Sequence, residues 1–510
     1  MKQEFLQSAS ISEVEADKET NEKPEAVHSK PQRKSKRIHR YYMDQDTSSN
    51  FRSRRVQTDE KAPSRRPYSL QAQMQNIAEQ AGRFAKIPVK LSHTETINAR
   101  KKMLAYDGSY QEPQSSPLEH NLPIPWALDI AQLSGASQTD ILEQEISRFV
   151  KHIEPTSLER VAREAVILEL LALVADKTGP RVRSEVFGSE RTGLVMATSD
   201  IDIRLECNIE DRDKRHEHLT MKMKGLVASM EEGQDYTLVV PRYHTYPIIN
   251  AQHKETGIHV QIVGSPDTTA QDAVTLQYLN ELPYLRSLYL LLRSALGTRS
   301  LVDVFTGGTG SYGLFIMLVA SLKRRSSNPP VTMTGQLFHF INFYNTLNLN
   351  DYGVSVSPPK LFKKHNPWDV PIKSFIEAAR RRGDLVRSAQ WAISQRRLYQ
   401  PYLLCLQDPA KPHNDLGRKS NAIKHVIYTL NTMGAKLAND MKEAVKAADR
   451  GRPWRGESIL LNFVGRLHEV NLERRKKLEE YGRKVMHAKR QAEKEARVAR
   501  VPQFARAEAG

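Results

Sequence analysis

The sequence has 510 residues, and 76 Lys and Arg against 59 Asp and Glu give it a net charge of +17. This length is sufficient for two or three domains with cores of their own, and the basic excess predicts an anionic partner, nucleic acid before membrane. No apolar run is long enough to span a bilayer. The only two cysteines, Cys207 and Cys405, favour a reducing intracellular compartment and are expected to be buried small hydrophobes.

Residues 1–115 lack hydrophobic periodicity and are rich in Ser, Gln, Glu, Lys and Arg, which predicts a disordered basic tail. The cluster KPQRKSKRIHR at residues 30–40 is either a nuclear import signal or phosphate-binding patch, or a solubilising run of charge. Acidic residues among the first twenty argue against a mitochondrial transit peptide. The nucleus is therefore favoured, and the mitochondrion is disfavoured.

Residues 116–275 are predicted to form an α+β palm with leading helices, and order is expected to begin near residues 122–126. Helices are predicted at residues 139–150 and 157–176, with Ser157 as the N-cap of the second. Short strand-like runs follow at residues 182–187, 201–205, 236–240, 246–250 and 258–263.

From residue 276 the apolar spacing becomes helical, so residues 276–435 are predicted to be a mainly α-helical domain. Its helices are expected at residues 285–296, 311–322, 337–344, 372–382 and 422–430. Residues 436–510 are predicted to be a basic helical extension with few core positions, exposed to solvent or bound to an acidic partner. Arg474, Arg475, Lys476 and Lys477 make this extension a candidate for RNA binding beside the N-terminal tail, and a solvated helix is the alternative.

A Gly-Ser turn at residues 188–189 follows the first strand of the palm. Gly188 allows the backbone to approach a ligand closely, and Ser189 with the following amides can hold a triphosphate. Thr192 is expected to hydrogen-bond the γ-phosphate.

Two acidic residues, Asp200 and Asp202, follow this turn. Ile201 and Ile203 are expected to point into the core, so that the two carboxylates share the opposite face of a strand, roughly 7 Å apart. Carboxylates so placed suit a pair of Mg²⁺ ions, which would bridge a triphosphate and lower the pKa of an attacking hydroxyl. The combination predicts a phosphoryl-transfer site.

Further segments between Pro125 and Ile427 extend this pattern over well over half of the chain. They are PII at residues 247–249, TGI at 256–258, LLLR at 290–293, GG at 307–308, SY at 311–312, FY at 343–344, GVSV at 353–356, DP at 408–409 and NDLGR at 414–418. With these segments the sequence resembles the template-independent RNA nucleotidyltransferases of the DNA polymerase β superfamily. It looks most like the poly(A) polymerases of nuclear RNA surveillance.

The resemblance implies a polymerase-β-like palm, a helical PAP-associated domain, and a cleft between them that binds ATP or another nucleotide. It implies that Asp200 and Asp202 bind Mg²⁺ (or Mn²⁺) and that Gly188, Ser189 and Arg293 contact phosphates. It further implies roles for four residues of the helical domain. Ser311 would contact phosphate, Tyr312 would stack on the base, and Asn414 and Asp415 would lie in the segment that reads the base. An RNA-binding subunit and a helicase are implied partners, together with the RNA 3′ end.

The sequence departs from this family at the position of a third carboxylate, which is Gln261 here. A neutral amide is a weak Mg²⁺ ligand and cannot act as a base, and His259 on the same strand face is a possible substitute. A phosphate-binding lysine is replaced by Gly297, with Arg299 as a possible stand-in, and the lysine after Pro-Ile-Ile is Asn250.

Two functions therefore stay open. The first is an active polyadenylating enzyme that prefers ATP and is linked to RNA processing or decay. The second is a catalytically weak or inactive relative that acts as an RNA-binding or scaffold protein. A dinucleotide-binding fingerprint at residues 308–313 (GTGSYG) is disfavoured, because no acidic residue follows at the required distance.

Overall fold

The computed structural model describes residues 106–114, 122–129, 135–244, 246–264, 268–324, 331–365, 372–394, 400–451, 454, 456–466 and 469–507. The predicted tail, including its basic cluster at residues 30–40, lies outside these ranges except for residues 106–114. In the part of the chain so described, no helix is both long enough and apolar enough to cross a membrane.

Helices and strands alternate in the first half of this region. They are α1 (Gln138–Ile153), α2 (Ser157–Thr178), β1 (Val182–Phe187), α3 (Ser189–Thr192), β2 (Ile201–Cys207), α4 (Arg212–Glu232), β3 (Tyr236–Tyr243), β4 (Pro247–His253) and β5 (His259–Val263). The five predicted strands and the α+β class are confirmed. Helix α4 was not predicted, because its charged first two turns mask the apolar stripe from Leu219 to Met230.

The second half is mainly helical, as predicted. It comprises α5 (Thr269–Glu281), α6 (Leu285–Gly297), α7 (Ser311–Lys323), α8 (Met333–Thr346), β6 (Tyr352–Val356), β7 (Pro359–Lys363), α9 (Ile372–Arg381), α10 (Leu385–Ile393), α11 (Ile423–Asp449), α12 (Leu461–Val464) and α13 (Glu469–Ala507). The β6–β7 hairpin and α10 were not predicted.

The five palm strands form one sheet in the order β1-β2-β5-β4-β3. Strands β2 and β5 are parallel, and the other neighbours are antiparallel. Ile201, Ile203 and Leu205 on β2 are fully buried in a core shared with α2 and α4. Alternation along β2 therefore points Asp202 to the opposite face, as predicted.

A second core is built by the helical region, and α1 belongs to it. Ile141, Leu142, Ile146 and Phe149 belong to this core, and α1 packs against α6, α8 and α11. A leading helix that the sequence assigned to the palm thus contributes its apolar face to the other core. Helix α11 also continues without interruption across the predicted boundary at residue 436.

The N-cap of helix α2 is Thr156, one residue earlier than the predicted N-cap, Ser157, which is the first residue of the helix. The side chain of Thr156 accepts from the backbone N–H of Glu159, and the Glu159 carboxylate accepts from the Thr156 N–H at 2.7 Å. This reciprocal arrangement satisfies two N–H groups that the helix itself leaves unpaired, so Thr156 is the better cap.

The prediction of a solvent-exposed C-terminal helix is wrong for the first turns of α13, which pack against α2. Leu478 is fully buried in the palm core, and Arg475 pairs with the buried Glu159 at 2.7 Å. Arg474 lies 3.3 Å from the ring of His259. Two of the four basic residues proposed for RNA binding are thus engaged in docking the helix, whereas Lys476 and Lys477 are exposed.

Residues 106–114 were predicted as the end of a disordered tail, but they lie against the helical region. The backbone N–H of Gln111 donates to Thr429 Oγ1 at 3.0 Å, and Ser109 contacts the buried ring of His425. The segment is short and mostly polar, so its order depends on these partners and leaves no periodic pattern in the sequence.

We expect Arg475→Ala to lower the free energy of unfolding by about 3–5 kcal/mol, because it leaves the Glu159 carboxylate buried without its partner. Lys477→Ala is the matched control, since Lys477 forms an exposed pair with Glu473 and should change stability little. Denaturant unfolding followed by circular dichroism measures both. Equal stability of the two variants would contradict the packing of α13.

Candidate active site

The strand register brings Asp202 of β2 level with Gln261 of β5, and Gln261 level with Asn250 of β4. Gln261 Nε2 donates to Asn250 Oδ1 at 3.0 Å. The sheet thus presents one carboxylate followed by a hydrogen-bonded pair of neutral amides. Asp200 precedes β2 by one residue and is exposed, so it is the second acidic side chain at this position.

The Gly-Ser turn lies directly over the Asp202 carboxylate. Gly188 has a φ of +71°, and a Cβ atom at this position would lie 3.0 Å from Asp202 Oδ2. Any other residue would strain the backbone and press against the carboxylate. Thr192 is 8% exposed and its hydroxyl donates to Gly188 O at 2.9 Å, so it shapes the turn.

Burial and the neighbouring Asp200 raise the pKa of Asp202 to about 7, and Arg163 acts in the opposite direction. No sequence pattern singled out Arg163, which lies on α2 with only 2% of its surface exposed. Its guanidinium pairs with Glu190 at 2.5 Å and donates to the carbonyls of Ala197 and Asp200. Arg163 therefore links the turn to the segment before β2.

The two carboxylates suit a divalent cation, which would offset their mutual repulsion, but the position of a third ligand is neutral. Among the described residues, no group of three or more His, Cys, Asp and Glu side chains could hold a metal ion. His259 lies against Arg474 of α13, which favours a structural role for it. Asp267, beyond the strand, lies outside the described residues.

On the helical side, the first residue of α7, Ser311, faces Arg293 of α6. Arg293 Nε donates to Ser311 Oγ at 3.0 Å, and no side chain caps the N-terminus of α7 after Gly310. Free N–H groups beside a guanidinium are suited to phosphate oxygens. A Cβ atom at Gly297 would lie 3.1 Å from Arg293 Nη1, so the Arg293 side chain covers this glycine.

The suggestion that Arg299 replaces the missing lysine is wrong. Arg299 is completely buried and donates to the carbonyls of Gln111, Ala295, Asn462 and Phe463. These bonds tie α6 to the segments on either side of it and leave no side of the guanidinium for a ligand.

Asp408 is a buried acceptor that the sequence analysis did not include among the site residues. It accepts from the Tyr312 hydroxyl at 3.1 Å, from Asn414 Nδ2 at 3.0 Å and from the Ala410 N–H at 2.9 Å. Burial and Asp408 hold the pKa of Tyr312 well above its usual range. Asp415 instead accepts from the N–H groups of Leu406 and Gly417, which gives it a role in shaping the loop.

Helix α5 connects the two sides of the cleft. Arg191 of the palm turn lies 3.6 Å from Asp272, and Gln271 Nε2 donates to Asp408 at 3.4 Å. The turn over Asp202 and the Tyr312–Asp408 pair therefore contact neighbouring residues of one helix. This places both sets of predicted site residues along one cleft.

This arrangement of a five-stranded mixed sheet, a Gly-Ser turn and an acidic pair is similar to the palm of nucleotidyltransferases of the DNA polymerase β type. The profile of the family described as poly(A) RNA polymerase, mitochondrial-like, central palm domain matches residues 142–268. The polymerase core of TRAMP, which is described as an RNA surveillance complex, has a similar fold. It covers 69% of this chain and all of its own, with a TM-score of 0.53 and 22% identity. Residues 142–268 are therefore similar to the palm domain of poly(A) RNA polymerases, and the predicted resemblance is confirmed for this region.

Several curated relatives are named as poly(A) RNA polymerases. CID14 of Cryptococcus neoformans is 26% identical over 347 residues, which cover 64% of this chain and 42% of that protein. Cid14 of Schizosaccharomyces pombe is 25% identical over 395 residues, covering 76% and 50%. Trf4-2 of Drosophila melanogaster, which is named as inactive, is 24% identical over 330 residues, covering 63% and 74%. The chain spans about half the length of most curated relatives that it matches.

Asp202→Asn should stabilise the metal-free protein at pH 8. Because the folded state holds a proton on Asp202 up to about pH 7, stability is lost as the pH rises from about 4 to 7. The variant has no such loss, and at pH 8 it should exceed the wild type by up to about 4 kcal/mol. Asp200→Asn, at an exposed position, is the control and should stabilise less. Chemical unfolding in EDTA across this pH range measures the difference, and no gain for Asp202→Asn would contradict the raised pKa.

Tyr312→Phe should weaken ATP binding by about two- to tenfold. The ring loses its hydrogen bond to Asp408, and Asp408, which also holds Asn414, loses one of its donors. Tyr344→Phe is the matched control, since its buried hydroxyl donates to Met317 O at 2.9 Å outside the cleft. Both variants should lose about 1 kcal/mol of stability. Isothermal titration with ATP should separate them. Equal affinities would remove Tyr312 from the nucleotide site.

Proposed function

We propose that this chain is a template-independent RNA 3′-end nucleotidyltransferase that adds adenylate residues from ATP. The observation that carries the proposal is the acidic pair Asp200 and Asp202 beneath the Gly188 turn, with phosphate-binding groups across the cleft. The turn leaves room for the Asp202 carboxylate because position 188 is a glycine, and a Cβ atom there would press on that carboxylate.

The roles of the residues follow from this geometry. Gly188 and Ser189, with the free N–H groups of the turn, contact the triphosphate from the palm side, and Arg293 and Ser311 contact it from the helical side. Thr192 supports the turn. Tyr312 stacks on the base, and Asn414, held by Asp408, hydrogen-bonds its edge. These groups place the α-phosphate beside Asp202, where the 3′-hydroxyl of RNA attacks it, so that a phosphodiester bond forms, the bond between the α- and β-phosphates breaks and pyrophosphate leaves.

Asp200 and Asp202 would hold Mg²⁺ or Mn²⁺, and the amide oxygen of Gln261 is a weak third ligand because only Nε2 is used in the bond to Asn250. When bound, the ion neutralises developing negative charge and lowers the pKa of the attacking hydroxyl. Gln261 itself cannot take up the proton of that hydroxyl, so proton removal falls to Asp200, Asp202 or solvent.

A second candidate function is that of a catalytically weak or inactive relative that binds RNA as a scaffold. The Gln261–Asn250 amide pair favours it, because two adjacent positions of the active-site sheet are neutral together. The two amides of Gln261 and Asn250 satisfy each other by a hydrogen bond, so the pair does not require a cation for its stability. The inactive Drosophila relative shows that loss of activity occurs among similar proteins.

The partners and compartment are also proposals. The family resemblance seen in the sequence implies an RNA-binding subunit and a helicase as partners and favours the nucleus, and the fold similarity to the polymerase core of TRAMP, an RNA surveillance complex, is consistent with a partner complex. The basic charge of +17 is consistent with an RNA substrate.

Incubation of the chain with end-labelled single-stranded RNA, ATP or UTP, and Mg²⁺ or Mn²⁺ should give extended products on a sequencing gel, with ATP preferred. Asp200→Ala/Asp202→Ala is the background control. Wild-type product no greater than that control, with either metal and either nucleotide, would contradict an active enzyme and favour the scaffold.

Gln261→Asp combined with Asn250→Lys should raise the tailing rate by about tenfold or more, since it supplies a third acidic ligand and a proton acceptor. The register pairs these two positions, so the lysine introduced at position 250 offsets the added negative charge beside Asp202. Gln261→Asp alone should raise the tailing rate less, and Asn250→Lys alone should not raise it. Equal rates in the double variant and the wild type would show that position 261 does not limit catalysis.

A further inference from the structure

Helices α9 and α10 form a hairpin that carries three aromatic rings in a column. The rings of His365 and Trp391 are 3.9 Å apart with planes inclined by 17°, and those of Trp391 and Phe375 are 4.8 Å apart and inclined by 19°. Both faces of Trp391 are therefore covered. Phe375 is 41% exposed, so the column ends on an aromatic face that is open to solvent.

The surroundings of this ring column are strongly basic. Between residues 359 and 394, the described residues include seven exposed Lys and Arg side chains and two exposed carboxylates, Glu377 and Asp384. Asp384 caps α10 by accepting from the Arg387 N–H, and Glu377 lies 3.9 Å from Arg381 in an exposed pair. The seven cations exceed the two carboxylates by five charges, so the surface is basic.

A cavity of about 510 Å³ opens beside the rings, lined by Lys360, Lys363 and Arg387 together with His365 and Trp391. At the other end of the helical hairpin, Arg380, Arg381 and Arg382 form a continuous basic run. An exposed aromatic ring among basic side chains is the combination by which proteins bind single strands, since bases stack on the ring and phosphates pair with the cations.

This surface is joined to the nucleotide side of the cleft. Gln390 of α10 donates to the Gln407 side chain at 3.1 Å, and Gln407 directly precedes Asp408, which binds Tyr312. Strand β6 continues the connection, because Val354 bridges to Leu406. These buried contacts fix the position of α10 relative to the loop that carries Asp408.

We propose that α9, α10 and the β6–β7 hairpin bind the single-stranded RNA that precedes the 3′ end. Basic side chains contact its phosphates, and one unpaired base stacks on Phe375. The inference rests on the proposed function for the identity of RNA as the substrate. An acidic protein would use the charge but would leave the aromatic face open, and a duplex would keep its bases from the ring.

Binding of a short fluorescent single-stranded RNA to the full chain, followed by anisotropy without nucleotide over a range of salt, tests this surface. Arg380→Gln/Arg381→Gln/Arg382→Gln should reduce the slope of log affinity against log salt by about 2, at about 0.7 for each phosphate contact. Phe375→Leu keeps the apolar volume and should weaken binding about tenfold with the slope unchanged.

Arg212→Gln/Lys214→Gln/Lys442→Gln removes the same charge from exposed positions of α4 and α11, and it should leave the slope unchanged. Circular dichroism spectra matching the wild type exclude misfolding. A salt slope of the arginine triple variant equal to that of this control would overturn the proposal. Wild-type affinity in Phe375→Leu, or equal affinity of the wild type for duplex RNA, would do the same.

All of these measurements are made in the Asp200→Ala/Asp202→Ala background, so they do not depend on catalysis. A chain that binds RNA as expected but never tails it would contradict only the proposed enzymatic function. A chain that tails RNA while the Phe375 and arginine variants bind it normally would contradict only the proposed RNA surface.

Discussion

The parallel pairing of β2 with β5 is the constraint on which the candidate site depends. It places Asp202, Gln261 and Asn250 in one row across three strands, so that the charge at any one of them acts on the other two. A single buried carboxylate in such a row is unfavourable when ionised, which is the reason for its raised pKa. Arg163 on α2 offsets part of the cost of ionising Asp202, and a cation bound in the cleft would offset the rest.

The cleft is held by buried polar residues more than by the residues that would touch a ligand. Arg163 fixes the palm turn, Asp408 fixes Tyr312 and Asn414, and Arg299 fixes the segments around α6. Each is almost fully buried and has several partners, so each defines one arrangement of its neighbours. A ligand would enter a site whose side chains are already oriented, and this lowers the entropy cost of binding.

Local patterns predicted the palm well, because alternation of Ile201 and Ile203 around Asp202 is a direct property of a half-buried strand. Interactions between distant residues could not be predicted in this way. Arg299 is near Gly297 in sequence, but its side chain points into the core. Arg475 lies in a segment whose composition is typical of a solvated helix, yet its partner is the buried Glu159. Asp408 belongs to the Asp-Pro motif at residues 408–409, but its role could not be predicted because the motif does not show that Tyr312 lies beside it. The ring column of His365, Trp391 and Phe375 depends on contacts between three separate elements.

The order in which the two cores are built has a mechanical consequence. Helix α1 packs in the helical core and α2 in the palm, α5 leads back to the helical region, and α13 returns to the palm with Leu478 and Arg475. The chain thus crosses between the cores three times, after α1, after β5 and after α12. A single connection would allow wide hinge rotation and twisting, whereas three connections at separate places restrict the relative motion of the two cores. Exchange of nucleotide and advance of a strand by one residue would therefore proceed through a narrow opening of the cleft, with both walls kept in register.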